Sequence, residues 1–411
     1  MKHGNCRFCK TELKTSVADL GMSPLANAYI RPERKRGLEY FFPLHAFICD
    51  KCLLVQVEEF ETPQAIFSDY AYFSSYSKTW LTHCQKYTSL MIEKFGLNPK
   101  SLVIEIASND GYLLQYFKEK NIPVIGIEPA ENVAKVAEQK GIPTVVKFFG
   151  VQTAQTLIES GKKADLLLGN NVLAHVPDLN DFVKGMKLLL NDHGVLTMEF
   201  PHLLNLIEQN QFDTIYHEHF SYFSLQTVER VFNHHGLTLF DVEELPTHGG
   251  SIRIYAHHKE DTTHKLTPNI DRLKEKEAKS GLNKIETYKK FNDKVWDTKR
   301  KLLEFLISAK REGKTIVGYG APAKGNTLLN FCGIRQDFLD YTVDISPHKI
   351  GCLLPGTHIP IEHPDKIKET KPDYVLILPW NFKEEIMDKT QFLREWGGKF
   401  VIPIPEVRII D

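Results

Sequence analysis

"SLVIEIASNDGYLL", residues 101–114, joins a short apolar run to a helix-like run through a turn of small residues. Val103, Ile104 and Ile106 read as a buried strand, with Glu105 near its end. Ala107, Ser108, Asn109 and Gly111 keep side chains small, as a turn needs where a ligand approaches the backbone. The following helix opens with N–H groups that have no intrahelical acceptor. One turn-helix-strand unit later, "PVIGIEP" ends a second strand on Glu128. A carboxylate at that place can accept hydrogen bonds from both hydroxyls of a ribose. The stretch therefore predicts a doubly wound α/β sheet with a cofactor loop.

The flanking sequence extends that pattern. "AENVAKVAEQKG" reads as a helix, and "TVVKFF", "ADLLLGNNVLAHV" and "GVLTMEF" as further strands. Short buried strands alternating with helices imply a parallel sheet. A helix is expected near Trp80 to Phe95, and another over residues 285–314. In the latter, Ile285, Tyr288, Phe291, Val295, Leu302 and Leu306 fall near one face. A second α/β series follows, in "TIVGYGAPAKGNTLL", "FLDYTVD", "YVLILPW" and "KFVIPIP". Three regions result: a small cysteine module over 1–63, an α/β domain over 64–256 and a Rossmann-like domain over 257–411.

In doubly wound methyltransferases, the loop at Glu105, Ala107, Asn109 and Gly111 takes the methionyl part of S-adenosylmethionine, and Glu128 takes the ribose. A nicotinamide cofactor would use the same geometry. "GNNVLAHVPDL" favours the methyltransferase, because Asn170, Asn171 and His175 resemble the loop that closes over the adenosine.

Cys6-x2-Cys9 and Cys49-x2-Cys52 supply four thiolates in two knuckles, a donor set that suits tetrahedral zinc. The set leaves no open position for water, so a structural zinc is expected, with an iron site of the same shape as its rival. Cys84, Cys332 and Cys352 are scattered. Seven cysteines, an odd count, with no apolar leader, point to reduced thiols in a cytoplasm. No run of about 18 apolar residues occurs, so no membrane span is expected. A net charge of −1 creates no field for nucleic acid. The basic run "RPERKRG", residues 31–37, is interrupted by Glu33 and reads as a solvated loop.

"DTIYHEHFSYFS", residues 213–224, crowds ionisable and aromatic groups before a helix that Ser224 would cap. As one helical turn, Tyr216 and His219 share a face. As an extended segment, Tyr216 pairs with Glu218 and His217 with His219. Either form can bring a phenol to an imidazole or a carboxylate.

Taken together, "CRFC…CDKC", "VIEIASNDGYLL", "GIEPA", "NNVLAHVPDL", "YHEHFSYFS", "HGGSIRIY" and "GYGAPAKGNTLL" span nearly the whole chain in order. The chain resembles the sugar C-methyltransferases that act on nucleotide-linked 4-keto deoxysugars. The resemblance implies methyl transfer to C-3 of the sugar through an enolate. It makes His219 the general base, Tyr216 the donor to the oxyanion, and Glu218 the residue that orients sugar or histidine. Tyr70 or Tyr72 of "SDYAYFSSY" enters the site, Tyr70 by preference. The C-terminal domain would help hold the nucleotide sugar. His248, Gly249, Gly250 and Ser251 would line the cleft. Gly320 and Lys324 suit a diphosphate and Asp344 a ribose or sugar hydroxyl. Arg253 would pair with phosphate or in a surface ion pair. The expected partner is a small-molecule nucleotide sugar, and the chain is expected to be a monomer or weak homo-oligomer. Three alternatives remain: a methyltransferase for another acceptor, a nicotinamide-dependent oxidoreductase using the C-terminal "GYGAPA" loop, and a zinc-bearing binding protein without activity.

Overall fold

The computed structural model describes residues 4–62, 64 and 73–411. The first module contains strands β1 (Thr15–Ser23), β2 (Phe42–Ile48) and β3 (Val55–Val57). The two cysteine knuckles fold alike. Each places its fifth residue, Lys10 or Leu53, in the left-handed region, at φ 62° and 63°. In each, that residue's N–H bonds back to the first cysteine's carbonyl, at 3.0 and 2.9 Å. Two equal turns thus deliver four sulfurs to one point. All four Sγ lie within 4.8 Å of one another. Cys6 and Cys52 are 3.5 Å apart, and Cys9 and Cys49 are 3.4 Å apart. A zinc tetrahedron with bonds near 2.3 Å has edges of roughly 3.8 Å, so the donor set fits the metal.

The central sheet holds β4 (Val103–Ile106), β5 (Val124–Ile127), β6 (Thr144–Val145), β7 (Ala164–Asn170) and β8 (Leu190–Pro201). The chain then forms β9 (Ser221–Tyr222), β10 (Leu237–Leu245) and β11 (Ser251–His258). The seven-stranded order is β10-β11-β8-β7-β4-β5-β6, with β11 antiparallel to both neighbours. This is the class I methyltransferase arrangement. Strand order reverses between β4 and β7, which opens a crevice at their carboxyl ends. β9 departs from this sheet. It pairs with β3 as the fourth strand of the N-terminal sheet, and Val57 N–H donates to Phe220 O at 3.2 Å. The module is thus hydrogen-bonded to the segment that carries Tyr216 and His219.

The long helix Ile285–Arg311 buries Tyr288, Phe291, Val295, Leu302 and Leu306 against the C-terminal core. That domain contains β12 (Ile316–Tyr319), β13 (Thr342–Val343), β14 (Ile361–Glu362), β15 (Tyr374–Ile377), β16 (Lys399–Ile402) and β17 (Arg408–Ile410). Their order is β14-β13-β12-β15-β16-β17, and only β17 runs antiparallel. Among the described residues, no helix is long and apolar enough to cross a membrane.

Candidate active site

A cavity of about 540 Å³ lies where the three regions meet. The central sheet contributes Ala107, Asn109, Glu128, Asn170, Asn171 and His175. The 213–224 segment contributes Thr214, Tyr216, Glu218 and His219. Asn27 comes from the N-terminal module, and Lys324, Asn381 and Phe382 from the C-terminal domain.

On the central side, Ala107, Asn109 and Asn171 take φ of 58°, 48° and 55°, and His248 takes 54°. These are left-handed conformations that favour glycine, and their concentration round one cavity stores strain where a ligand would bind. They explain how a loop with Ala107 and Asn109 makes the turn usually given to glycines. Glu128 is 5% exposed. Its Oε2 accepts from Asn109 N–H at 2.9 Å and its Oε1 from Ala130 N–H at 2.8 Å. Burial pushes its pKa up to about 7. Each oxygen keeps a second lone pair for a hydroxyl. Asn170 is buried, and neither atom of its amide has a partner among the described residues. Such a group is costly unless a ligand satisfies it. Glu105 and Gly111 stand behind the cavity wall. Glu105 is fully buried and held well above the usual carboxylate range by burial, with the Tyr112 hydroxyl beside it. Gly111 makes its turn at φ 74° against Ile142. An orphaned amide, a carboxylate suited to vicinal hydroxyls, and an apolar slot of Phe148, Phe149 and Phe182 fit S-adenosylmethionine.

The YHEH segment makes one turn. His219 N–H bonds to Tyr216 O at 2.9 Å, which puts both side chains on one face. His219 Nδ1 lies 3.1 Å from Thr214 O and Nε2 lies 2.8 Å from the Tyr216 hydroxyl. A carbonyl only accepts, so Nδ1 carries the hydrogen and Tyr216 donates to the Nε2 lone pair. Burial, with help from His175 and His248, holds His219 well below the usual imidazole range. The ring is therefore neutral at pH 7. His175 stands edge-on, with ring centroids 4.7 Å apart. Glu218 turns to the N-terminal module, where Asn27 Nδ2 donates to its Oε1 at 2.7 Å. Burial lifts its pKa to about 7. His217 points the other way, bonding Pro43 O at 3.2 Å and packing edge-on against Phe42 and Phe60.

The C-terminal loop reaches the cavity only through Pro322, Ala323 and Lys324. Gly320, at φ 88°, is pressed against Pro379. Asp344 bonds Ala321 N–H and Ser346 N–H, both at 2.8 Å. Tyr29 donates to Ala321 O at 2.5 Å, and Lys349 to the same oxygen at 2.9 Å. Asp344 stands outside the cavity lining, and Tyr29 and Lys349 cover the loop's Ala321 carbonyl. His248 lines the cavity and accepts from Asn171 Nδ2 at 2.7 Å. Gly249 packs behind it on Trp380. Arg253 is neither a phosphate ligand nor a surface pair. It is 3% exposed, 3.0 Å from Glu199 and 3.0 Å from Glu243, because β11 carries it inside the sheet layer. Tyr70 and Tyr72 lie outside the described residues.

Sequence reasoning missed Asn27, the Thr214 carbonyl, Asn381 and Phe382. Thr214 lies in the 213–224 segment but gave no signal through its carbonyl; Asn27, Asn381 and Phe382 sit in no quoted motif and reach the cavity through contacts between distant segments.

Three family models match consecutive parts of the chain. A "Putative zinc binding domain" matches residues 6–67, a methyltransferase domain 81–242, and a C-methyltransferase C-terminal domain 246–405. C-methyltransferase NovU from Streptomyces niveus is 35% identical over 406 residues, covering 99% of this chain and 96% of its own. Among solved structures, magnesium protoporphyrin IX methyltransferase from Synechocystis PCC 6803 with bound SAM matches at 14% identity and TM-score 0.34. That match covers 43% of this chain and 78% of the other. The PH0226 protein from Pyrococcus horikoshii OT3 matches at 15% identity and TM-score 0.38, covering 49% and 100%.

Proposed function

The chain belongs to the S-adenosylmethionine-dependent C-methyltransferase family, and on that premise we propose that it methylates C-3 of a nucleotide-linked 4-keto deoxysugar, in the making of a branched sugar. The observation that carries this reading is a neutral His219, its Nε2 lone pair bonded to Tyr216 on a wall of the cavity that Glu128 also lines.

A ketone at C-4 acidifies the neighbouring C–H. His219 Nε2 takes that proton, and the electron pair left on carbon delocalises onto the ketone oxygen as an enolate. Tyr216 blocks Nε2 before substrate binds. When the ketone oxygen takes the Tyr216 hydrogen bond instead, the lone pair is released and the oxyanion gains a donor in one movement. S-adenosylmethionine, held by Glu128 and Asn170, would supply an electrophilic methyl for the enolate carbon, the C–S bond pair remaining on sulfur. Glu218, fixed by Asn27, orients the sugar. His175 and the apolar walls keep water from the enolate. Lys324 meets the substrate's negative oxygen.

The test is incubation in deuterated water with a panel of 4-keto nucleotide sugars. Without S-adenosylmethionine, deuterium is expected at C-3 of the recovered sugar; with it, release of S-adenosylhomocysteine is expected. Deuterium at C-5 alone would move the methylated carbon to the other side of the ketone, and none at either would remove the enolate. A nicotinamide oxidoreductase would instead change nicotinamide absorbance. The position of Asp344 outside the cavity lining speaks against it.

A further inference from the structure

Asp213 opens the YHEH segment, and the chemistry above gives it no task. It is 0% exposed, in the turn Phe212–Thr214. Its Oδ2 accepts from the Trp380 indole N–H at 2.7 Å. Among the described residues its Oδ1 is buried with no side-chain hydrogen-bond partner. On the ring face of Trp380, 4.4 Å from the centroid, lies the Lys324 Nζ. The same Nζ donates to Asn381 Oδ1 at 2.8 Å. Lys324 lines the cavity together with His219 and His248, and its charge reaches both imidazoles. A carboxylate on the indole N–H makes the ring face more negative and strengthens its hold on a cation. The turn that carries Asp213 also carries the Thr214 carbonyl that fixes His219. The lysine's helix packs on that turn, through Thr327 Oγ1 donating to Ile215 O at 3.1 Å.

We propose that Asp213 is a positioning residue: through the Trp380 indole it anchors the Lys324 ammonium on the wall that also carries His219, so that the C-terminal domain supplies the cation for an anionic oxygen of the substrate. That oxygen belongs to the diphosphate or to the enolate, and the kinetic part of the idea rests on the function proposed above. The charged and titratable groups that face the relay are His219, His248 and Cys332. Burial raises Asp213 to about 7 and lowers Lys324, so each ion needs the other.

The relay is testable without substrate. The Trp380 indole 15N–1H resonance, identified by its loss in Trp380→Phe, should move with pH as Asp213 titrates and cease to move in Asp213→Asn. Lys324→Met removes a cation and should raise the midpoint by about half a unit or more. An unchanged midpoint overturns the coupling. In methyl transfer, Lys324→Met should lose about 30-fold and Asp213→Asn about tenfold, with the double variant no slower than Lys324→Met. Multiplied losses, or a wild-type rate in Asp213→Asn, overturn the positioning role. Weaker binding of thymidine 5′-diphosphate to Lys324→Met marks the diphosphate. Unchanged binding with slowed deuterium wash-in marks the enolate, and no change in either overturns the anion. A wild-type protein that methylates no 4-keto nucleotide sugar defeats the function and leaves the indole titration to decide the relay.

Discussion

The chain contains two strand–turn–helix units that look alike on paper. One runs from Glu105 to Glu128 and the other from Gly318 to Asp344. The first has the poorer glycine pattern and the second the better one. In the folded protein the poorer one faces the cavity. Its acid, Glu128, lines the cavity, and its strained turn carries Ala107 and Asn109 at positive φ. In the better one, the acid accepts two backbone N–H bonds, as Glu128 does, but lies off the cavity lining, and Tyr29 and Lys349 cover the Ala321 carbonyl. A fingerprint describes the backbone a loop can make. What packs against the loop decides whether a ligand can reach it.

Four experiments bear on this contrast. The largest effect falls where the two units converge. His219→Asn should lower methyl transfer by about 10²–10⁴-fold, with S-adenosylmethionine still bound in calorimetry. Full activity would remove the proposed base. Next, Glu128→Ala should weaken S-adenosylmethionine by about 1.5–3 kcal/mol, the range for hydrogen bonds to a charged group. Because burial sets Glu128 near 7, its acceptor form prevails above that pH. Cofactor affinity should therefore fall as pH drops from 8 to 6, and Glu128→Gln should flatten the dependence.

The mirror experiment in the second unit should behave differently. Asp344→Ala leaves two loop N–H groups without their acceptor, costing about 1–3 kcal/mol, read as a lower melting temperature. Cofactor affinity should not change. Parallel loss of S-adenosylmethionine binding would erase the contrast. Tyr29→Phe is the mildest, at about 1 kcal/mol for one hydrogen bond. Opening the loop this way should create no nicotinamide binding, measured by fluorescence titration. A new nicotinamide site would mean that Tyr29 alone had closed it.

Much of this molecule could be read locally. The strands at Val103–Ile106 and Val124–Ile127, the long helix from Ile285 and the Ser224 cap follow from side-chain period and capping chemistry. The cysteine knuckles follow from spacing alone. Tyr216 and His219 were expected to meet if the segment turned, and it turns. The meeting of Asn27 with Glu218 had no such signal, nor did the pairing of Ser221–Tyr222 with Val55–Gln56. Arg253 was equally opaque, since an alternating strand does not say which face another layer will cover.

By itself the sequence determined the elements, the four-thiolate metal set and the groups available for proton transfer, because these depend on neighbours within a few residues. Only the tertiary structure decided that Ser221–Tyr222 joins the N-terminal sheet, that Glu128 lines the cavity while Asp344 does not, and that Lys324 joins His219 there. Those outcomes depend on contacts between segments up to some 300 residues apart, such as Asn326 to Ala26. Burial there sets both access and charge, and no short stretch carries that information.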